Sequence, residues 1–383
     1  MARREAPAAG PGSRALIVDV IRSATAISRV ELADVTGLTQ PSISNIVREL
    51  IADGIIHENG TTDSVRGKPR KLISINPANR FGIGFHLGAD TVTCVAIDLT
   101  GGVVGREVVP RPAGEQWLAG RFDDFTAGLD LPRDRIEGLA VVGPTAFPGR
   151  AADPVLSGAT RAALAARIGL PVIVENDAAA AALGEFWSRR VSREQAFGCV
   201  YLGAGIGAGF VFGGALFRGD SFDAGELGHV SIDYDGRPCP CGNRGCVERY
   251  ASTTAVVEAA GTPTPGTATT AETYDLISRA AVNGDATAYE AIDQAAGYLS
   301  VAVTSVVNLL DLGRLVLTGP GVAVAGSIYA RRLRSHLDRT AHARQRHAIT
   351  VELSAQPRDA AGIGAAALVV QASIAPGHTP GAA

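Results

Sequence analysis

Two widely separated stretches of this 383-residue chain share a strand–turn–strand pattern, and that repeat constrains the fold more than any other feature. The first copy has apolar runs at residues 82–87, 93–99 and 103–109, and the second copy covers residues 199–214. Each copy is followed by alternating helical and strand patterns, with further strands expected at residues 136–142, 172–174, 314–318 and 349–353. This arrangement predicts two α/β lobes with a cleft between them, and it places functional side chains at strand ends that face the cleft.

The first seventy or so residues have a different pattern, with three helices expected. Ser13 precedes the first apolar face, Ser28 and Glu31 have the spacing of a capping box, and Thr39 can cap a third helix. A tight turn at Gly37 joins the second and third helices, which predicts a helix-turn-helix whose second helix enters the major groove of DNA. The polar outer face of that helix carries the candidate DNA contacts Gln40, Ser42, Ser44, Asn45 and Arg48.

A basic loop follows, between short strands expected at residues 55–56 and 72–75. Four of its six residues are cations that suit DNA phosphates or a minor groove. These are Arg66, Lys68, Arg70 and Lys71. The alternatives are an ordinary solvated loop and, for the whole N-terminal unit, a small protein-interaction domain. The net charge of −3 gives no global indication of DNA binding, so the prediction rests on this local pattern.

Three of the five cysteines lie in the segment Cys239-Pro-Cys-Gly-Asn-Arg-Gly-Cys246. With His229, they supply the four ligands that a closed tetrahedral zinc site needs, and such a site leaves no position for an activated water. We therefore expect structural Zn²⁺, bound by His229, Cys239, Cys241 and Cys246, in a reducing compartment. Incidental cysteines are the alternative, because C-x-C is less usual than C-x-x-C. Cys94 and Cys199 are expected to be buried small hydrophobes.

These segments together resemble the ROK family of repressors, open reading frames and sugar kinases, and the resemblance covers nearly the whole chain. It is carried by residues 39–76, Glu175-Asn-Asp177, the glycine-rich residues 203–209, Gly225-Glu-Leu-Gly-His229 and the cysteine segment through Glu248. The resemblance implies a two-lobed, actin-like ATPase body behind a winged helix-turn-helix. It also implies zinc on the four ligands above, a general-base position at Asp177, and sugar contacts from Asn176, Asp177, Glu226, His229 and Glu248.

The phosphate side of the cleft departs from the pattern of the family's kinases. Those kinases carry Asp-x-Gly-x-Thr in the first hairpin turn, where this chain reads His86-Leu-Gly-Ala-Asp90. Two like unit charges about 4 Å apart repel by roughly 4 kcal/mol at an effective dielectric constant of about 20, so Asp90 is expected to weaken ATP binding. Ala179 also stands where many relatives have asparagine. We therefore expect no enzyme activity and no catalytic residue.

The expected organisation is a disordered tail at residues 1–12, a winged helix-turn-helix at 13–77, and a sugar-kinase-like domain at 78–375 with lobes at 78–195 and 196–375. The expected function is a DNA-binding regulator, a repressor of carbohydrate genes whose DNA affinity responds to a sugar or sugar phosphate. The expected partners are an inverted-repeat operator and a second copy in a homodimer or homotetramer.

The protein is expected in the cytoplasm, associated with the nucleoid through DNA and with no membrane partner. Two alternatives remain: an ATP-dependent sugar kinase with a regulatory head, and a regulator that senses no sugar. The identity of the sugar, the sign of its effect, the operator sequence and the choice between dimer and tetramer are left open by the sequence.

Overall fold

The computed structural model describes residues 11–61, 69–144, 153–189, 196–221, 223–261 and 268–374. Most of the expected N-terminal tail lies outside these ranges, but its last two residues already belong to the first helix. Across the described ranges, no helix has the length and apolar character that crossing a membrane requires.

Three helices and a small sheet form the N-terminal unit. The helices are α1 (Pro11–Ala24), α2 (Arg29–Thr36) and α3 (Gln40–Ala52). The strands are β1 (Ile27–Ser28), β2 (Ile56–Thr61) and β3 (Lys71–Ile75), which pair antiparallel in the order β1-β3-β2. The apolar stripe of α3 is buried, so the opposite, polar face of this helix points outward.

Side-chain caps determine where α2 and α3 begin. Ser28 Oγ accepts a hydrogen bond from Glu31 N, and the Glu31 carboxylate accepts one from Ser28 N, which is the predicted capping box. The hydrogen bond from the Ser28 hydroxyl also lowers the pKa of Glu31. Thr39 Oγ1 accepts from Ser42 N at the start of α3. Both predicted caps are therefore confirmed.

Among the described residues, the body contains two five-stranded sheets with the same strand arrangement. The first has the order β6-β5-β4-β7-β8 and the second has the order β11-β10-β9-β12-β13. In each sheet the first three strands are antiparallel and the last two run parallel to the central strand. The predicted internal repeat is confirmed, and the two sheets also share one strand order.

The body strands have the following bounds. In the first sheet they are β4 (Phe81–Leu87), β5 (Thr91–Asp98), β6 (Val103–Pro110), β7 (Ile136–Gly143) and β8 (Val172–Asn176). In the second sheet they are β9 (Phe197–Leu202), β10 (Ile206–Phe212), β11 (Ala215–Phe217), β12 (Arg314–Thr318) and β13 (Thr350–Leu353).

The body helices cover both sheets. The helices before β9 are α4 (Trp117–Gly128), α5 (Gly158–Ile168) and α6 (Asp177–Ser188). The helices after β11 are α7 (Glu248–Ala251), α8 (Thr253–Ala260), α9 (Thr270–Val282), α10 (Ala286–Leu310), α11 (Gly326–Thr340) and α12 (Ala360–Ile374).

Helices α6 and α12 join the two sheets. Helix α6 packs on β9 and β10 of the second sheet, whereas α12 packs on β4, β5 and β7 of the first sheet. The two helices also pack on each other so closely that a Cβ at Gly364 would lie 1.7 Å from the carbonyl oxygen of Ala180. Only a glycine allows this approach, so α6 and α12 connect the two sheets through direct backbone contact.

Candidate functional site

The four predicted metal ligands come together in one cluster. Their donor atoms all lie within 4.8 Å of one another, on residues that are buried or half-buried. His229 Nδ1 is 3.6 Å from Cys239 Sγ, and Cys241 Sγ is 3.7 Å from Cys246 Sγ. None of the three thiols forms a disulfide within the described part of the chain.

These distances fit a tetrahedral zinc ion. With Zn–S bonds of about 2.3 Å and Zn–N bonds of about 2.0–2.1 Å, the edges of the tetrahedron are about 3.8 Å between two sulfurs and about 3.5 Å between sulfur and nitrogen. The separations at Cys241–Cys246 and His229–Cys239 agree with both values. The cluster can therefore hold a metal ion, with three thiolates and one imidazole as ligands.

The orientation of His229 connects the cluster to the cleft. Its Nδ1 faces the thiols, whereas its Nε2 lies 3.8 Å from Glu226 Oε2. Glu226 is the more accessible of the two, with 40% of its side chain exposed. A metal ion bound to Nδ1 would fix the imidazole ring and leave Nε2 directed at Glu226, the predicted sugar contact.

Strand β10 brings the remaining predicted sugar contacts near this histidine. The first residue of the strand, Ile206, donates its N–H to Glu248 Oε2 at 2.9 Å. Two residues later, Ala208 N donates to the carbonyl oxygen of Gly225 at 2.7 Å, directly before Glu226. Glu248 and Glu226 are thus both held by the backbone at the start of one strand.

Gly207, which lies between Ile206 and Ala208 on β10, packs against the start of α6. A Cβ at Gly207 would lie 2.5 Å from the Cβ of Ala178, so a larger side chain would push α6 away from β10. Asp177 begins that helix, and Asn176 caps it by accepting hydrogen bonds from Ala178 N and Ala179 N. The side-chain oxygen of Asn176 therefore has a structural role in addition to its predicted contact with a sugar.

His86, near the end of β4 in the first sheet, reaches the start of α6 at Asp177. It is 9% exposed, and its Nε2 lies 3.7 Å from Asp177 Oδ2 and 3.5 Å from the hydroxyl oxygen of Tyr201. The rings of His86 and Tyr201 meet edge to face at 6.2 Å. An imidazole, a carboxylate and a phenol from β4, α6 and β9 thus meet at one point between the two sheets.

Tyr201 was not identified by sequence reasoning, because it lies within an ordinary apolar strand pattern. Glu175 and Arg218 were also missed as a pair: they form a 2.9 Å ion pair between β8 and the loop after β11, and only 6% of the Glu175 side chain is exposed. Glu175 stands in the Glu175-Asn-Asp177 motif that carries the family resemblance, but nothing in the sequence indicated Arg218 as its partner.

The hairpin turn that carries Asp90 lies at the surface. Asp90 is exposed, and its carbonyl oxygen accepts from Arg111 N at 2.9 Å. Arg111 also donates to the carbonyl oxygen of Gly88 and forms an ion pair with Asp153, so this cation is already committed to local partners. The glycine-rich residues 203–209 form the β9–β10 turn and the first half of β10.

The outer face of α3 presents the predicted DNA contacts. Gln40, Asn45 and Arg48 are exposed, Ser42 and Ser44 are half-buried, and Arg48 donates to Asn45 Oδ1 at 3.2 Å. In the basic loop, Arg70 and Lys71 are exposed, and Lys71 forms an ion pair with Glu58. Arg66 and Lys68 lie outside the described residues.

Comparison with known proteins shows similarity to one protein family and, within it, to regulators and to sugar kinases. The model of the ROK family matches residues 82–372. A xylose repressor from Caldicellulosiruptor bescii is 26% identical over 381 residues, which cover 94% of this chain and 95% of the repressor.

Solved structures of both a transcriptional regulator and a sugar kinase of this family are similar to this chain. The crystal structure of a ROK family transcriptional regulator, a homologue of the Escherichia coli MLC protein, superposes with a TM-score of 0.72 at 26% identity, covering 95% of this chain and 97% of that one. A ROK family glucokinase from Streptomyces griseus, in complex with glucose and AMPPNP, superposes with a TM-score of 0.61 at 26% identity. It covers 76% of this chain and 98% of the kinase.

Proposed function

Because the chain belongs to the ROK family, we propose that it is a sugar-responsive, DNA-binding transcription regulator, a repressor of carbohydrate-related genes. The observation that carries this proposal is the coverage of its relatives. The glucokinase is matched over nearly its whole length but leaves about a quarter of this chain unmatched, whereas the transcriptional regulator matches 95% of it. The family match begins at residue 82, directly after the N-terminal unit. These coverages support an N-terminal unit that the regulator has and the kinase lacks.

The N-terminal unit, residues 13–77, acts in this proposal as a winged helix-turn-helix. Its third helix carries a polar, accessible outer face over a buried apolar stripe, as a recognition helix in the major groove requires. The proposed base and phosphate contacts are Gln40, Ser42, Ser44, Asn45, Arg48, Arg66, Lys68, Arg70 and Lys71. The last four lie between β2 and β3 or, for Lys71, at the start of β3, and they are proposed as contacts from the wing to the DNA backbone.

The cleft binds the effector, a sugar or a sugar phosphate. Its proposed contacts are Asn176, Asp177, Glu226, His229 and Glu248, which offer the carboxylate, amide and imidazole groups that pair with sugar hydroxyls. Zn²⁺ on His229, Cys239, Cys241 and Cys246 would have a structural role, because four protein ligands complete its coordination. Its effect on the sugar site would act through the orientation of His229.

The proposal assigns no phosphoryl transfer to this cleft. Where the family's kinases place an aspartate for the metal and phosphates, His86 directs its ring at Asp177, the general-base position. Asp90 adds a negative charge in the turn that would face the phosphates of ATP, and repulsion between like charges weakens such binding. His86 and Asp90 together support a regulator that has lost kinase activity.

The proposed assembly is a homodimer or homotetramer that presents two heads to an inverted-repeat operator, because a twofold protein matches a palindromic site. A sugar that prefers one arrangement of the lobes, with DNA favouring the other, would change the affinity for the operator. Since the proposed partner is chromosomal DNA, the protein would act in the cytoplasm, at the nucleoid.

The decisive experiment is fluorescence anisotropy of the purified protein with labelled DNA from upstream of its own gene, at fixed salt, with a panel of sugars and sugar phosphates. Specific binding that one ligand shifts is the expected result. Specific binding that no ligand shifts would favour the alternative regulator that senses no sugar. Absence of specific binding to that fragment and to genomic fragments would refute the DNA-binding role.

A sugar kinase with a regulatory head is the second candidate, because Asp177 and the glycine-rich turn are both present. It predicts ATP turnover that depends on Asp177. A coupled ADP assay across hexoses, pentoses and amino sugars, with Asp177→Asn as the control, tests it. Turnover above that of the variant would favour the kinase.

A further inference from the structure

The N-terminal unit contacts both of the helices that join the two sheets. Its helix α1 packs against α12, and its buried residues Ile17, Val18 and Ile21 belong to the same hydrophobic cluster as Trp187 of α6 and Val370 of α12. The head is therefore continuous with the body core and is not simply tethered by a linker. Helix α1 thus lies directly against the helices that join the two sheets.

One buried cation, Arg22, makes polar and stacking contacts across this junction. Only 2% of the Arg22 side chain is exposed, and its Nη1 donates to the carbonyl oxygen of Trp187 at 2.9 Å. The guanidinium lies 4.5 Å from the centre of the Trp187 ring and 6.0 Å from that of Phe186. Within α1 its nearest acidic partner is Asp19, at 3.9 Å. Arg22 thus binds the last turn of α6 by a hydrogen bond and by stacking.

The two ends of α6 serve different sites. Asp177 begins the helix in the proposed effector cleft, and Trp187 lies in its last turn, about 15 Å away along the axis at 1.5 Å per residue. Beyond Trp187, Arg189 pairs with Glu352 on β13 and donates to the carbonyl oxygen of Leu353, so this end is also held by the second sheet. Helix α6 is a rigid element with one end at the sugar site and the other under the head.

We propose that Arg22 is the positioning residue through which the effector cleft controls the DNA-binding head, by fixing α1 to the C-terminal end of α6. The inference rests on the function proposed above. Closure of the cleft on a sugar moves α6 relative to α12, and Arg22 makes α1 follow α6. Without the guanidinium, α1 keeps its apolar contacts with both helices but loses the polar contact that ties it to α6.

The test compares coupling with binding. Three proteins are compared: the wild type, Arg22→Met and Arg22→Lys. Anisotropy gives the DNA Kd of each protein without effector and with a saturating concentration of the effector that the sugar panel identifies. Calorimetry gives the sugar Kd of each protein. We expect the sugar Kd to stay within about twofold, while the ratio of the two DNA Kd values falls at least several-fold towards one in Arg22→Met. By linkage, the effect of DNA on sugar affinity must fall by the same factor.

The matched control is Arg14→Met, which removes the same charge from the same helix. Arg14 pairs with Asp53 inside the N-terminal unit and is expected to leave the ratio unchanged. If Arg22 had only a structural role, Arg22→Met would lower the melting temperature or weaken DNA binding equally with and without sugar. The ratio of the DNA Kd values with and without sugar would then stay unchanged. If Arg22→Met fails to fold, Trp187→Phe, which narrows the stacking surface, takes its place.

A wild type that responds to a sugar, together with folded Arg22 or Trp187 variants that respond equally, would overturn this inference alone. A wild type that binds specific DNA but responds to no sugar would overturn the proposed switch and this inference with it.

Discussion

His86 Nε2 lies 3.7 Å from Asp177 Oδ2, where the end of strand β4 meets the start of helix α6. The contact joins the first sheet to the helix that packs on the second sheet. The Tyr201 hydroxyl, 3.5 Å from the same nitrogen, completes this contact from β9. An aspartate at position 86, as in the family's kinases, would instead place two carboxylates close together at this point.

His86→Asp should therefore destabilise the protein in a pH-dependent way. Two carboxylates at this distance repel by about 1 to 4 kcal/mol, and the repulsion raises the pKa of one of them in the folded state. Protonation relieves the repulsion, so the loss of stability should be larger at pH 8 than at pH 5. Urea unfolding at both pH values measures it, and His86→Asn, which adds no charge, should show no such difference. Equal losses for both variants would contradict the prediction.

Asp177→Asn should weaken sugar binding by about ten- to hundredfold, because hydrogen bonds to a charged acceptor contribute about 1.5–3 kcal/mol. Isothermal titration calorimetry with the effector identified from the panel measures the change. Asp124→Asn removes the same charge from an exposed position on α4 and should leave the affinity unchanged. An unaltered sugar affinity in Asp177→Asn would remove this residue from the effector site.

Each chain should contain one zinc ion, and Cys241→Ser should lose it. Loss of the ion frees the loop around the cluster, so we expect a fall in melting temperature of at least about 5 °C and weaker sugar binding through His229. Atomic absorption and differential scanning fluorimetry measure the two effects. Cys94→Ala, a buried thiol outside the cluster, should keep its zinc. A protein purified without added metal chelators that contains no zinc would refute the site.

Arg48→Ala should weaken specific DNA binding by about 10- to 100-fold if the side chain reads a base edge in the major groove. Arg70→Ala should instead lower the affinity for all sequences and reduce the dependence of log K on log salt by about one. Anisotropy at several salt concentrations separates the two effects. Arg167→Ala carries the same charge change on the exposed surface of α5 and is the control. Wild-type behaviour of Arg48→Ala would refute the proposed recognition face.

The stability of the second lobe should depend on pH through His347. A hydrogen bond with Asp311 raises the pKa of His347, so the protonated ring stabilises the fold. That contribution is fully present below the ordinary histidine pKa near 6.5 and is lost as pH rises through the higher folded value. His347→Gln should cost more at pH 5.5 than at pH 8.5 in urea unfolding. The pair is exposed, so the difference should be at most about 1 kcal/mol.

His336 provides a comparison of opposite sign. Burial lowers its pKa, with further lowering by Arg339 and Arg332, so protonation of this ring destabilises the fold as pH falls. His336→Gln should therefore relieve a cost at pH 5.5 that is absent at pH 8.5. The same sign for both histidine variants would contradict the assignment.

The sequence by itself determined the local features of this protein. Strand period, the two caps at Ser28 and Thr39, and the spacing of the three cysteines are short-range patterns, and the physical rules behind them act within a few residues. The repeat of strand patterns also predicted two similar sheets, because the same pattern must bury its apolar face in the same way. These features are all present in the structure.

Only the tertiary structure decided which distant side chains meet. Nothing in the chain near Tyr201 or Arg22 distinguishes them from ordinary residues of an apolar strand and an amphipathic helix, yet one lies at His86 and the other on Trp187. Such contacts depend on how two sheets and three helices pack, and that packing is set by the sum of many weak apolar contacts over the whole core. The pairing of His86 with Asp177 and the continuity of the head with α6 both depend on that packing.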